Sequence, residues 1–277
     1  MKRAIGLEHL TLLETAPPEL VTVAAAAGFD TVSLRAGPVT ADEETWPLYP
    51  GSPMLAETRR RCADTGLSVH AVEAIALGPG SVLAGHERVL ETAAALGARY
   101  VNVICDDPDT GRFTELLAAL VVTARAAGVR PVIEFTAYRP ISCLAAAVAI
   151  ARQTGGGILL DTLHIQRCGA TADEIAAVDP ALLTYLQLCD APRQQPFGLR
   201  VPAAMPRGQR AADDRVIEAR AMRLLPGEGE LPLGALLAAV PEGMLVSVEA
   251  PSAAALAAAS PGDYAVRARR AVRLLAG

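Results

Sequence analysis

Hydrophobic positions along this chain fall into short continuous runs separated by longer stretches with apolar residues every three or four positions. The short runs are Ala4–Leu7, Phe29–Leu34, Leu67–Val72, Tyr100–Ile104, Pro131–Ile133, Ile158–Leu160, Leu183–Leu188 and Met244–Val248. Each is too short for a helix and apolar on both faces, the pattern of a strand buried on both sides of a parallel sheet. The stretches between them predict helices. The first starts at Pro17-Pro18-Glu19 and ends at Gly28; proline and an acid suit a first turn, and glycine suits the position just past a helix end. Further helices are expected over Leu55–Thr65, Ser81–Leu96, Phe113–Ala127, Ile141–Gln153, Thr171–Val178, Leu233–Val240 and Asp263–Leu275. Thr171 with Glu174 three residues on has the spacing of a capping box.

Eight strand–helix units in alternation predict an α/β fold, a (β/α)8 TIM barrel occupying residues 1–277 as one domain. An open doubly wound sheet is the alternative, but no phosphate-cradling glycine fingerprint follows the first strand. The Arg/Pro-rich stretch from about Pro192 to Gly229 reads as a long loop on the face where the strands end.

That face is where chemistry is expected in such a barrel. Strands five to eight finish at Glu134, Asp161, Gln187 and Glu249. Three carboxylates brought to one point repel unless a cation offsets them. With an amide oxygen they form a hard donor set, suited to one divalent metal ion, Mn2+ or Mg2+ first, with Co2+ or Zn2+ as further choices. His164, three residues past Asp161, is expected to touch substrate or orient a ligand; His9 and Glu73, at the ends of the first and third strands, point to the same mouth. Arg193, Arg200 and Arg223 sit in the long loop, where most arginines face solvent and one could clamp a carboxylate or phosphate; Arg193 is the one expected to do so.

The segments Val132-Ile133-Glu134, Leu160-Asp161-Thr162-Leu163-His164, Leu186-Gln187-Leu188-Cys189-Asp190 and Val248-Glu249, with Leu225-Pro226-Gly227-Glu228-Gly229-Glu230, resemble the metal-bearing strand ends of the xylose isomerase-like superfamily. The resemblance covers essentially the whole chain. Many members carry histidine where Gln187 stands, and the hydroxypyruvate isomerase branch is similar to this chain in using glutamine. The resemblance implies that Glu134, Asp161, Gln187 and Glu249 hold the metal and that Glu134 and Glu249 act as an acid/base pair. It implies an isomerase or epimerase of a small sugar, sugar phosphate, cyclitol or hydroxy-keto acid, working through an enediolate. A lyase on the same scaffold, such as a dehydratase of a dehydroshikimate-like acid or an inosose, is the alternative.

Composition excludes more than it selects. A net charge of −5 and four histidines fit poorly with nucleic-acid binding or a multi-metal nuclease. The partner expected is a small polyol or keto acid, with a homodimer through the mouth loops as a further expectation. Five scattered cysteines without a C-x-x-C pair read as reduced thiols in a cytoplasmic protein, and no apolar run suggests a membrane span. No nucleophile elbow or Walker loop is present.

Overall fold

Strands that are neighbours in sequence are neighbours in space. The computed structural model describes residues 3–40, 42–202, 205–209 and 213–276. Eight parallel strands, β1 (Ile5–Leu7), β2 (Thr31–Arg35), β3 (Ser68–Leu77), β4 (Tyr100–Cys105), β5 (Arg130–Glu134), β6 (Gly157–Asp161), β7 (Leu183–Leu188) and β8 (Leu245–Val248), form a closed barrel in chain order. It closes where β8 pairs with β1, Leu7 opposite Val248. The fold is therefore the predicted (β/α)8 barrel. Among the described residues no helix is long and apolar enough to cross a membrane.

Two apolar layers hold it. Inside the barrel Ala71, Val132, Leu159 and Tyr185 pack together with Tyr100 and Leu245 against them. Outside, Leu, Val and Ala of strands and helices form one larger core that includes Leu7, Leu34, Val72, Ile133, Leu160 and Val246. Successive side chains of a strand point to opposite faces, so each strand supplies both layers.

The structure departs from the sequence reading at three places. Strand β3 does not stop at Glu73; it runs on to Leu77, and its pairing with β4 shifts register between Val72 and Ile75. Glu73 thus lies within a strand, buried, and not at its end. A helix over Thr162–Cys168 follows Asp161 directly, with Asp161 as its N-cap. The long segment after β7 contains a helix, Asp214–Ala221, capped by Asp213. The composition of that segment reads as loop, yet Asp213-Asp214 ahead of Val216-Ile217 is a helix-start signal that could have revealed it.

The Pro226-Gly227-Glu228-Gly229-Glu230 motif is an anchor. The Asp190 carboxylate accepts from the backbone N–H of Ala191, Gly227 and Leu231, each at 2.9 Å. Asp190 and Leu224 also exchange two backbone hydrogen bonds, both 2.9 Å. This clasp turns the chain back over the barrel mouth. A Cβ on Gly229 would stand 2.6 Å from the Ala191 carbonyl oxygen and 2.7 Å from its nitrogen. Backbone cannot yield as a side chain can, so Gly229→Ala is expected to destabilise the protein by about 1–3 kcal/mol. Urea unfolding of the two proteins would measure it, and an unchanged midpoint would show the clasp to be looser than described.

Candidate active site and metal centre

Strand alternation sets the site. Val132, Leu159 and Tyr185 fill the barrel interior; two residues further along their strands come Glu134, Asp161 and Gln187, and Glu249 follows β8. All four are buried. Asp161 pairs laterally with Gln187, while Glu134 sits opposite Leu159, so the donors step round the rim as a staircase, as barrel stagger requires. Glu134 and Glu249 line one cavity with Glu73, His164, Arg35 and Arg223.

A cation at this rim is Arg223, a loop arginine that the sequence reading set behind Arg193. Arg223 is 1% exposed. Its Nη1 donates to Asp161 Oδ2 at 2.5 Å and its Nη2 lies 3.0 Å from Glu249 Oε2. Nε donates to the Ala219 carbonyl at 2.7 Å, and Nη1 also reaches the Glu249 carbonyl at 3.2 Å. Asp161 keeps its other oxygen for the His164 backbone N–H at 2.9 Å, and Glu249 Oε1 accepts from Gln187 Nε2 at 3.1 Å. Arg193, expected as the anion clamp, is exposed; its carbonyl instead accepts from Arg167 Nη1 and Gln166 Nε2. The arginine found at the rim is thus Arg223 and not Arg193, because the Asp190 clasp folds residue 223 inward.

Glu134 has no such partner. Asn102 Nδ2 donates to its Oε2 at 2.7 Å, and His164 Nε2 stands 3.7 Å from its Oε1. Burial and the repulsion of Asp161 push the Glu134 carboxyl up to about 7. Burial, with the repulsion of Glu134 and Asp161 and against the pull of Arg223, holds Glu249 well above the carboxylate range. Burial opposes ionisation of Asp161 too, but the charge of Arg223 and its hydrogen bond, with the His164 amide, keep Asp161 low. Burial, helped by the charges of Arg223, Arg139 and Arg220, lowers His164 to about 4, so its ring is neutral at pH 7.

A second set of charges lies beside the first. Glu73 accepts from the Ser33 hydroxyl and from the His9 backbone N–H at 3.2 Å, and Arg35 Nη2 lies 3.1 Å from its other oxygen. Burial, and repulsion from Glu8 against the attraction of Arg35, push Glu73 up to about 7. Glu8 holds His70 Nε2 at 2.8 Å within the barrel. His9 offers a ligand nothing. It is wholly buried, its Nδ1 accepts from the Arg35 backbone N–H at 2.8 Å, and its Nε2–H therefore donates to the Thr15 carbonyl at 2.9 Å. The expected substrate contact at His9 is corrected to a structural pin between the segment after β1 and the end of β2.

One potential ligand atom each from Glu134, Asp161 and His164 lie within 4.8 Å of one another, and so do those of Glu8, Glu73 and Glu249. Gln187 Oε1 and His164 Nδ1 are buried with no hydrogen-bond partner among the described residues. Orphaned acceptors beside an uncompensated carboxyl fit a divalent cation, with Arg223 as its cationic neighbour.

Comparison with known proteins agrees with the fold. The sequence profile of the xylose isomerase-like TIM barrel matches residues 21–273. The chain belongs to that family. Among solved structures it resembles an IolI protein with a bound zinc atom, at TM-score 0.75 and 19% identity, over 100% of this chain and 98% of that one. It resembles a xylose isomerase-like TIM barrel/4-hydroxyphenylpyruvate dioxygenase fusion protein at TM-score 0.77 and 21% identity, covering 98% of this chain but spanning only 42% of the fusion's length. A D-psicose 3-epimerase, solved in the presence of D-fructose, superposes at TM-score 0.68 and 17% identity over the full length of both. At these identities the likeness is one of fold. No curated sequence matches the chain.

Two predictions follow the electrostatics. Removing one partner of a buried ion pair strands the other, so Arg223→Met is expected to cost about 3–5 kcal/mol of stability in chelator, and added Mn2+ or Zn2+ should recover part of it. Chelator-treated variant as stable as the parent would refute the pairing. The second concerns pH. Burial, with the charges of Arg35 and Arg207, lowers His9 to about 3 in the folded protein, against about 6.5 unfolded. The folded state refuses a proton that the unfolded state takes, so this stabilisation is whole above about pH 6.5 and is lost as pH falls toward 3. Urea titrations between pH 7.5 and 5 should show a shallower decline for His9→Gln than for the parent; equal slopes would count against it.

Proposed function

We propose that the chain is a divalent-metal-dependent isomerase or epimerase of a small polyol or hydroxy-keto acid, working through an enediolate. The observation that carries this is the pair Glu134 and Glu249: two buried carboxyls from separate strands, facing one cavity, both displaced upward from the ordinary carboxylate range. A general base works best with a pKa near the working pH, where both of its forms are populated.

Glu134, Asp161, Gln187 and Glu249 would hold the cation, with His164 beside them. When bound, the cation supplies polarisation of a substrate carbonyl and lowers the acidity barrier of the adjacent C–H. The oxygen donors favour Mn2+ or Mg2+; the His164 nitrogen widens the range to Co2+ or Zn2+. Asn102 fixes the Glu134 carboxylate so that its free oxygen faces the cavity, from which it takes the proton. Gln187 and Arg223 fix Glu249, which returns a proton from its own side. His164, neutral and on the cavity wall, would hydrogen-bond a substrate oxygen. Glu73, held by Ser33 and Arg35, shapes the far wall.

The elevated Glu249 carboxyl also favours a second reading. A carboxylic acid protonated at neutral pH can protonate a departing hydroxyl, which turns the same enediolate toward dehydration. One experiment separates the two. Purified protein with Mn2+ is incubated in D2O with ketoses, hydroxypyruvate and dehydroshikimate, and products are weighed by mass spectrometry. Isomerisation conserves mass apart from deuterium uptake; the lyase loses water. Glu134→Gln and Glu249→Gln should each lower exchange by about 10²–10⁴-fold, and chelator should abolish it. Undiminished exchange in Glu134→Gln would remove the acid/base assignment.

A further inference from the structure

The mouth holds more arginines than the rim acids use. Arg223 is taken by Asp161 and Glu249, and Arg35 by Glu73 with Glu43 at 3.7 Å. Arg139 is paired with Asp106 and donates to the Val39 carbonyl at 3.2 Å. Arg220 differs. It is 5% exposed, lines the same cavity as Glu134 and Glu249, and has no acceptor at hydrogen-bond or ion-pair distance among the described residues. Its guanidinium carbon lies 6.0 Å from the centroid of the Tyr138 ring. Arg139 lies 5.8 Å from the same centroid, so two cationic heads flank one aromatic ring.

A buried guanidinium without an acceptor is costly. Nothing in its surroundings relaxes it. The helix that carries it is pinned by Glu218, two residues before, in a bidentate pair with Arg167 at 2.6 and 2.9 Å. Arg220 is therefore held at the cavity wall with its charge uncompensated. Its guanidinium carries one positive charge in a planar fork of donors, which matches a carboxylate.

We propose that Arg220, with Tyr138 and Arg139 beside it, forms a subsite for a carboxylate, so that the molecule turned over is a small hydroxy- or keto-acid and not a neutral sugar. That this carboxylate belongs to the substrate rests on the acid/base reading of Glu134 and Glu249; the binding itself does not. Carboxylate at Arg220 leaves the carbons next to it within the cavity that the two rim glutamates face.

Calorimetric titration of the full chain with Mn2+ tests it, using glycerate, its near-isostere glycerol, and inorganic phosphate as probes. Glycerate should bind at least about ten-fold more tightly than glycerol. Arg220→Gln should cut glycerate affinity by about ten- to hundred-fold while leaving Mn2+ affinity unchanged. Arg220→Lys keeps the charge but not the fork, and should lose about three- to ten-fold, which decides the matter should the glutamine variant fail to fold. Equal binding of glycerate and glycerol, or parent-like glycerate affinity in both variants, overturns the subsite. Phosphate binding more tightly than glycerate through Arg220 overturns the carboxylate. Deuterium exchange then separates the two readings. Glycerate bound through Arg220 with no exchange on any compound keeps the subsite and ends the isomerase reading. Exchange on neutral ketoses, unmoved by Arg220→Gln, does the reverse.

Discussion

Five carboxyl groups, Glu8, Glu73, Glu134, Asp161 and Glu249, are buried at or just below one end of the barrel, and their compensation is the constraint on which the rest depends. Burial makes each carboxylate expensive and each neighbour makes the next more so. The protein meets this unevenly. Arg223 serves Asp161 and Glu249, Arg35 serves Glu73, and His70 serves Glu8. Glu134 receives only an amide. The unevenness is what separates the groups chemically: Asp161 stays ionised while Glu134 and Glu249 are pushed toward the neutral form.

Holding a guanidinium inside the barrel mouth needs a scaffold outside it. Asp190 binds three backbone N–H groups and folds the Leu225–Leu231 segment back, and Arg223 N donates to the Pro251 carbonyl at 3.0 Å. Arg167 joins the helix after β6 to the helix Asp214–Ala221 through Glu218, and ties down the carbonyls of Pro192 and Arg193. Over its described residues, a segment that looks like loop by composition is thus clamped backbone and short helix, and it carries Arg220 and Arg223 to the cavity wall. The glycines of the motif serve that turn: Gly227 has φ 88°, and Gly229 stands too close to residue 191 for any side chain.

Much of the barrel was legible in advance. Strand and helix positions follow from period, and the rim residues follow from the rule that strand ends carry chemistry. Glu134, Asp161 and Glu249 were readable because each directly closes a short apolar run, and Gln187 because it is the polar residue just before the end of one. His9, Arg193 and Arg223 were not. Strand-end position predicts an address at the mouth, but not whether a side chain turns toward the cavity or is consumed by backbone, as both nitrogens of His9 are. An arginine in a polar stretch carries no local sign of burial; Arg193 and Arg223 look alike until the chain is folded.

The amino-acid sequence by itself determined the eight-fold alternation, the parallel sheet and the address of four polar residues at its end, because these depend on local periodicity and on the two-residue repeat of a strand. Tertiary structure alone decided how their charges are shared. Which acid meets Arg223, which is left with an amide, and which guanidinium finds no partner depend on contacts between residues as far apart as Asp161 and Arg223 or Asn102 and Glu134. Those distances come from barrel closure and from the clasp at Asp190, and electrostatic energy depends on distance through space, not on separation along the chain.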